Sequence, residues 1–123
     1  MILLNDGDSP MHELSIAESI LSIVEDYARR NDVSKVLSVK LRIGEMSGVQ
    51  PEPLAFCFEI CANGTVAEGA SLEIERVPLS ARCRACNVTF SVEGYCFLCP
   101  ACGSTEVEII SGRELQVTEM EVE

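Results

Sequence analysis

Between Cys83 and Gly103 the chain reads CRACNVTFSVEGYCFLCPACG, and no other stretch so narrows what the rest can fold into. Two Cys-x-x-Cys pairs about a dozen residues apart present four thiolates at the spacing of a tetrahedral metal site. Two registers overlap, because Cys96-x-x-Cys99 and Cys99-x-x-Cys102 both fit. Turn chemistry separates them. In a metal knuckle the residue after the second cysteine takes a left-handed conformation while nearby amides point at sulfur, which favours Asn or Gly. Asn87 follows Cys86 and Gly103 follows Cys102, whereas Pro100 follows Cys99 and has neither an N–H nor access to positive φ. Cys83, Cys86, Cys99 and Cys102 are therefore the expected ligands of a structural zinc, with iron the second fit. Cys96 is left as a spare thiol. Little apolar mass lies between Ser80 and Ser104, so the lobe is expected to need its metal to fold.

Cys57 and Cys61, four residues apart, also invite a metal reading, but buried thiols on or near a helix's apolar side fit them better. Seven cysteines without a secretory leader favour metal or redox chemistry over a disulfide framework. No apolar run approaches the roughly 20 residues of a membrane helix, and MILLNDGDSP lacks the basic flank of a signal peptide. A cytoplasmic protein is expected. The balance of 9 Lys and Arg against 20 Asp and Glu gives a net charge of -11, which opposes docking onto phosphate backbones. A four-thiolate zinc site adds about two more negative charges.

Residues 1–10 show no periodicity and read as a poorly ordered tail. From Glu13 to Arg30 the residues Leu14, Ala17, Leu21, Val24 and Ala28, widened by Ile20 and Tyr27, form the stripe of an amphipathic helix closed by Asn31-Asp32. Val36 to Ile43 alternates, with Leu37, Val39, Leu41 and Ile43 on one face and Ser38, Lys40 and Arg42 on the other, the pattern of a strand with one wet face. A second helix is expected from Pro51 or Pro53 to Ala62, burying Leu54, Phe58 and Cys61 and ended by Asn63-Gly64. A second strand runs from Ala70 to Pro78. Glu106 to Glu121 reads as a third strand or strand pair with Gly112 as a bulge or bend. The fold class is α+β: a small three-stranded sheet with two helices on one face, plus an inserted four-cysteine zinc-ribbon-like lobe. Residues 11–80 and 105–123 form the main domain and 81–104 the lobe.

His12 is the single histidine, beside Met11 and Glu13 at the mouth of the first helix. By itself such a histidine reads as a solvated cap. With Met11-His12-Glu13-Leu14-Ser15-Ile16-Ala17 opening a helix, Ile43-Gly44-Glu45, Cys83-x-x-Cys86, Cys99-Pro100-x-Cys102 and Glu114-Leu115, however, the chain resembles the hydrogenase maturation nickel metallochaperones of the HypA/HybF family. The resemblance covers residues 11–123. It implies a non-enzymatic chaperone that carries Ni(II) as transient cargo on His12, with Glu13 as an auxiliary group, and holds Zn(II) structurally on the four cysteines. It also implies delivery of nickel to the large subunit of [NiFe] hydrogenase with a GTPase partner, HypB, with a homodimer left open and neither nucleic acid nor membrane as partner. An imidazole with backbone nitrogens suits the tetragonal preference of nickel(II).

In that family the motif opens the chain, so that the terminal amine and adjacent amide can join the imidazole; here ten residues precede Met11. Either translation starts at Met11, or nickel binds the longer chain through a set less dependent on the amine. The intact mass of the natively expressed protein separates the two. Two other readings are a zinc-ribbon module for protein or nucleic acid, disfavoured for nucleic acid by charge, and a thiol–disulfide enzyme, disfavoured because no Cys pair opens a helix after a strand. No nucleophile and base pair is visible.

Overall fold

The computed structural model describes residues 2–3 and 12–123, with the backbone alone described at Ile2, Leu3 and His12. Helix α1 (His12–Arg30) forms where apolar residues recur at helical spacing, and it buries Ile16, Ala17, Ile20, Leu21, Val24 and Ala28. Glu13 lies in its first turn and Arg29 and Arg30 in its last, as the helix dipole favours. At its end the Asn31 side chain donates to the Tyr27 carbonyl at 2.9 Å, and Asp32 turns out at φ 53. Tyr27 itself is 44% exposed, so the buried stripe is narrower than the sequence implied.

The main sheet is built on β2 (Val36–Gly44). It pairs in parallel with β3 (Ser71–Val77), reached through helix α2 (Pro51–Ala62), and antiparallel with β7 (Leu115–Val122). These are the three expected strands. A fourth, β1 (Ile2–Leu3), pairs with Val117 and Gln116 on the outer edge of β7, so the sheet order is β1-β7-β2-β3. Ile2 and Leu3 thus belong to the sheet rather than to an unordered tail, because β7 offers them an open edge. Met1 and residues 4–11, including Met11, lie outside the described residues.

Both helices join the sheet in one core, where Leu54 and Phe58 of α2 meet Ile16, Ile20, Val39, Leu41 and Ile43. On the far side of the sheet cations on β2 face acids on its neighbours. Lys40 lies across from Glu73 and Glu119, and Arg42 pairs with Glu75 at 3.3 Å. One bulge corrects the alternation read from sequence, and a second lies in β7. Leu37 is the extra residue between Val36 and Ser38 in the pairing with β7, so Val36 is buried and Leu37 is 39% exposed. Thr118 is the extra residue opposite the Lys40–Leu41 step, which returns Met120 to the core side after Leu115 and Val117.

The second sheet belongs to the cysteine lobe. Its order is β5-β4-β6, from β4 (Ser80–Cys83), β5 (Thr89–Ser91) and β6 (Val107–Ser111). Strands β4 and β5 are too short for their alternation to register in the sequence. The segment from Glu106 to Glu121 is a strand pair divided between sheets. Residues 107–111 pair with β4, and the main sheet resumes only at Leu115, later than the boundary at 105 set from sequence. The lobe's own buried core is three residues, Leu79, Ala81 and Val92, with Met46, Phe90, Phe97, Val107 and Ile109 packed around it.

The sheets meet where β2 ends against the β6–β7 bend. Met46 N–H donates to the Gly112 carbonyl at 2.7 Å, and Gly44 N–H to the Glu114 carbonyl at 2.8 Å. The backbones are so close that a Cβ on Gly44 would overlap the carbonyl carbon and oxygen of Gly112. Gly112 sits at φ 112, and a Cβ there would lie 2.7 Å from Leu79 Cα. Strain and overlap then act together, each on the order of 1–3 kcal/mol. Gly112→Ala is expected to lower unfolding free energy by about 3 kcal/mol or more, and Gly48→Ala, at positive φ with open space around it, by much less. Urea unfolding of the metal-loaded chain measures both; a Gly112→Ala midpoint equal to wild type refutes the account.

Candidate metal centre

Cys83 ends β4, Cys86 closes the turn after it, and Cys99 and Cys102 bracket a second turn before β6. The two turns repeat one hydrogen-bond scheme. In the first, Asn87 N–H donates to the Cys83 carbonyl at 2.8 Å and Cys83 N–H to the Val88 carbonyl at 2.9 Å. In the second, Gly103 N–H donates to the Cys99 carbonyl at 2.8 Å and Cys99 N–H to the Ser104 carbonyl at 3.0 Å. Asn87 at φ 65 and Gly103 at φ 75 hold the left-handed position that each turn requires.

The four sulfurs lie within 4.8 Å of one another. Cys83 Sγ is 3.6 Å from Cys102 Sγ, and Cys86 Sγ is 3.6 Å from Cys99 Sγ. Sulfurs at 2.3 Å around a tetrahedral ion stand about 3.8 Å apart, so the side chains present fit such a metal with shifts of about 1 Å or less. Among the described residues this is the one cluster of three or more ligating groups. Cys83 and Cys99 are buried while Cys86 and Cys102 are exposed, so the site sits at the lobe surface with half of its shell inside.

The backbone prepares two of these thiols for ionisation. The Cys86 amide is the strongest influence on Cys83 and, with that of Ala85, holds its pKa below the ordinary range despite burial. At Cys99 burial opposes ionisation, but the Cys102 and Ala101 amides, each 3.4 Å from the sulfur, outweigh it and hold the thiol at about 6. Their partners are shifted the other way. The Ser104 amide favours a Cys102 thiolate, yet the Cys83 thiol, burial and the other two cysteines push it up to about 12. For Cys86 the Val88 amide is likewise outweighed by Cys99, burial and Cys83, and its pKa is raised. A divalent ion in the centre reverses this, since it favours all four thiolates at once.

Cys96 is exposed on the turn before the second knuckle and takes no part in the cluster. Cys57 and Cys61 are half-buried against the main core, with burial, then Glu18 and Cys57, raising the Cys61 pKa. His12 is the first residue of α1, in the main domain, and its side chain lies outside the described residues. Glu13 follows it, and its carboxylate accepts the Gln50 N–H at 3.2 Å, tying the start of α1 to the entry of α2. One brace of the lobe had no sequence signal. Glu108 on β6 pairs with Arg82 on β4 and lies 3.7 Å from Arg84, and hydrogen bonding with Arg82 holds its carboxyl below the usual range. The partners are 26 residues apart and meet only through strand pairing.

Cys86→Ser removes a ligand, and its effect should exceed the roughly 10–100-fold typical of lost outer partners. Metal affinity is expected to fall by at least about 100-fold, while Cys96→Ser retains one ion per chain. Elemental analysis with competitive chelation reads both, and metal loss in Cys96→Ser contradicts the assigned register. Chelation of wild type is expected to remove amide protection across Ser80–Ser111 while leaving β2 and β7 protected.

The profile of the HypA family, described as hydrogenase/urease nickel incorporation metallochaperones, matches residues 11–122. The hydrogenase maturation factors HypA of Geobacter metallireducens and Geobacter sulfurreducens are each 48% identical to this chain over 113 residues, covering 92% of it and 100% of their own length. Among solved structures, the Ni metallochaperone HypA from Helicobacter pylori superposes with a TM-score of 0.64 at 26% identity, covering 89% of this chain and 96% of that one. A second HypA solution structure gives 0.71 at 27% identity, covering 93% and 98%. With a four-cysteine metal centre on an α+β scaffold and a family profile that spans all but its first ten residues and its last, this chain belongs to the HypA family of hydrogenase/urease nickel-incorporation metallochaperones.

Proposed function

We propose that the chain binds Ni(II) transiently at the start of α1 and delivers it during maturation of [NiFe] hydrogenase, while Zn(II) is held permanently by Cys83, Cys86, Cys99 and Cys102. The observation that carries this reading is the closed character of the four-sulfur centre. All four tetrahedral positions are supplied by protein, the four sulfurs already stand within 4.8 Å of one another, and amides support Cys99 Sγ. Such a site holds its ion and is poorly suited to releasing cargo.

Cargo needs a site with fewer protein ligands and a group that protonation can dislodge. His12 supplies an imidazole at the opening of α1, in a different module from the cysteines. Glu13 serves as an auxiliary group whose carboxylate, through the Gln50 amide, fixes the helix start against α2. An imidazole with neighbouring backbone nitrogens suits nickel(II), and proton competition at one imidazole offers a release route. The chain acts as a carrier rather than a catalyst. Its handover partners are the GTPase HypB and the hydrogenase large subunit, with the two helices and the main sheet as the nickel-binding unit and Ser80–Ser111 as the zinc lobe.

His12→Ala is expected to abolish stoichiometric nickel binding while far-ultraviolet circular dichroism and zinc content stay at wild-type values. Unchanged nickel affinity in that variant refutes the site. A parallel nickel titration with and without residues 1–10, followed by absorption spectroscopy, reads whether a free amine at Met11 changes the coordination geometry.

A further inference from the structure

The outward face of α2 sets two large apolar side chains among its glutamates. Leu54, Phe58 and Ala62 point into the core, and Cys57 and Cys61 lie half-buried against it. The remaining face carries Phe56, 63% exposed, and Ile60, 58% exposed, one helical turn apart. Beside them is a groove of about 300 Å³ between α2 and the segment entering β3, lined by Ala55, Phe58, Glu59, Ala70 and Leu72. Strand β3 is the last strand on that side of the sheet, so the groove lies along an open edge. A large aromatic and an isoleucine side by side next to a groove form the kind of patch that marks a docking surface.

Charge says what would cover it. Helix α2 itself carries two glutamates, Glu52 and Glu59, and no lysine, arginine or histidine. Glu52 lies one turn before Phe56, and Glu59 lines the groove itself; both are exposed and neither is in an ion pair with a described residue. A second copy of this chain would bring the same glutamates against these, on a molecule of net charge -11. A partner with apolar side chains for Phe56, Ile60 and the groove, and with lysines or arginines around them, meets both features.

We propose that the outward face of α2, with the groove beside β3, is a docking site for a basic amphipathic helix of a partner protein. Leucine-like side chains enter the groove and cover Phe56 and Ile60, and flanking cations meet Glu52 and Glu59. This surface lies apart from the cysteine centre and is independent of the nickel reading.

The test uses the full metal-loaded chain without nickel. The probe is a fluorescent 18-residue helical peptide of leucine and lysine with leucine at i, i+3, i+4 and i+7 spacing; the control has the same composition in scrambled order. The amphipathic peptide is expected to bind at low salt and to shift amide resonances of α2 and residues 69–72. Phe56→Ser with Ile60→Ser should weaken it by about tenfold or more. Glu52→Gln with Glu59→Gln, which leaves the apolar contacts intact, should flatten its salt dependence. Circular dichroism and metal content confirm that each variant is folded. Equal binding of the scrambled peptide, binding unchanged by the Phe56 and Ile60 substitutions, or resonance shifts confined to the lobe would overturn the proposal. So would sedimentation showing a wild-type dimer that the same substitutions convert to monomer, which assigns the face to a second copy.

Discussion

The architecture turns on one backbone contact, the crossing of Gly44 at the end of β2 with Gly112 at the bend between β6 and β7. The main chains cannot approach this closely if Gly44 carries a side chain. The two positions need glycine for different reasons. Gly44 has an ordinary extended conformation at φ -77 and is required by space, whereas Gly112 is required by its positive φ and by Leu79. Because the crossing is tight, Met46 can reach from the main domain into the lobe's small core, and β6 can leave one sheet as β7 enters the other.

That junction lets two units with different sources of stability share one chain. The main domain is held by an aliphatic core in which two helices cover a sheet. Apart from Cys83 and Cys99, the lobe's core is Leu79, Ala81 and Val92, too little to offset the ordering of some thirty residues. Two matched turns bring four sulfurs to where a metal would close the lobe, and the Arg82–Glu108 pair adds a brace between strands. The chemistry divides along the same line. The lobe's four sulfurs are organised to retain an ion, and the start of α1, tied to α2 by Glu13, lies in the other unit.

Much of this was legible residue by residue. The two helices and the three main strands follow from apolar spacing. The choice among five cysteines follows from proline's inability to take a left-handed turn, and it names the same four that the structure gathers. What failed was local parity. Leu37 was displaced by a single-residue bulge, which depends on pairing with a partner strand and leaves no mark in the strand's own alternation. Strands of three and four residues in the lobe were also invisible, because so short a run has no measurable period.

The sequence by itself determined the elements, the knuckle chemistry and the class of metal ligand, because spacing, backbone freedom and thiolate chemistry are properties of neighbouring residues. Only tertiary structure decided that residues 107–111 belong to the lobe and residues 115–122 to the main sheet, that Gly44 and Gly112 touch, and that Phe56 and Ile60 remain uncovered. The physical reason is common to all three. Each is a relation between segments far apart in the chain, set by which surfaces are left to pair once the local elements have formed.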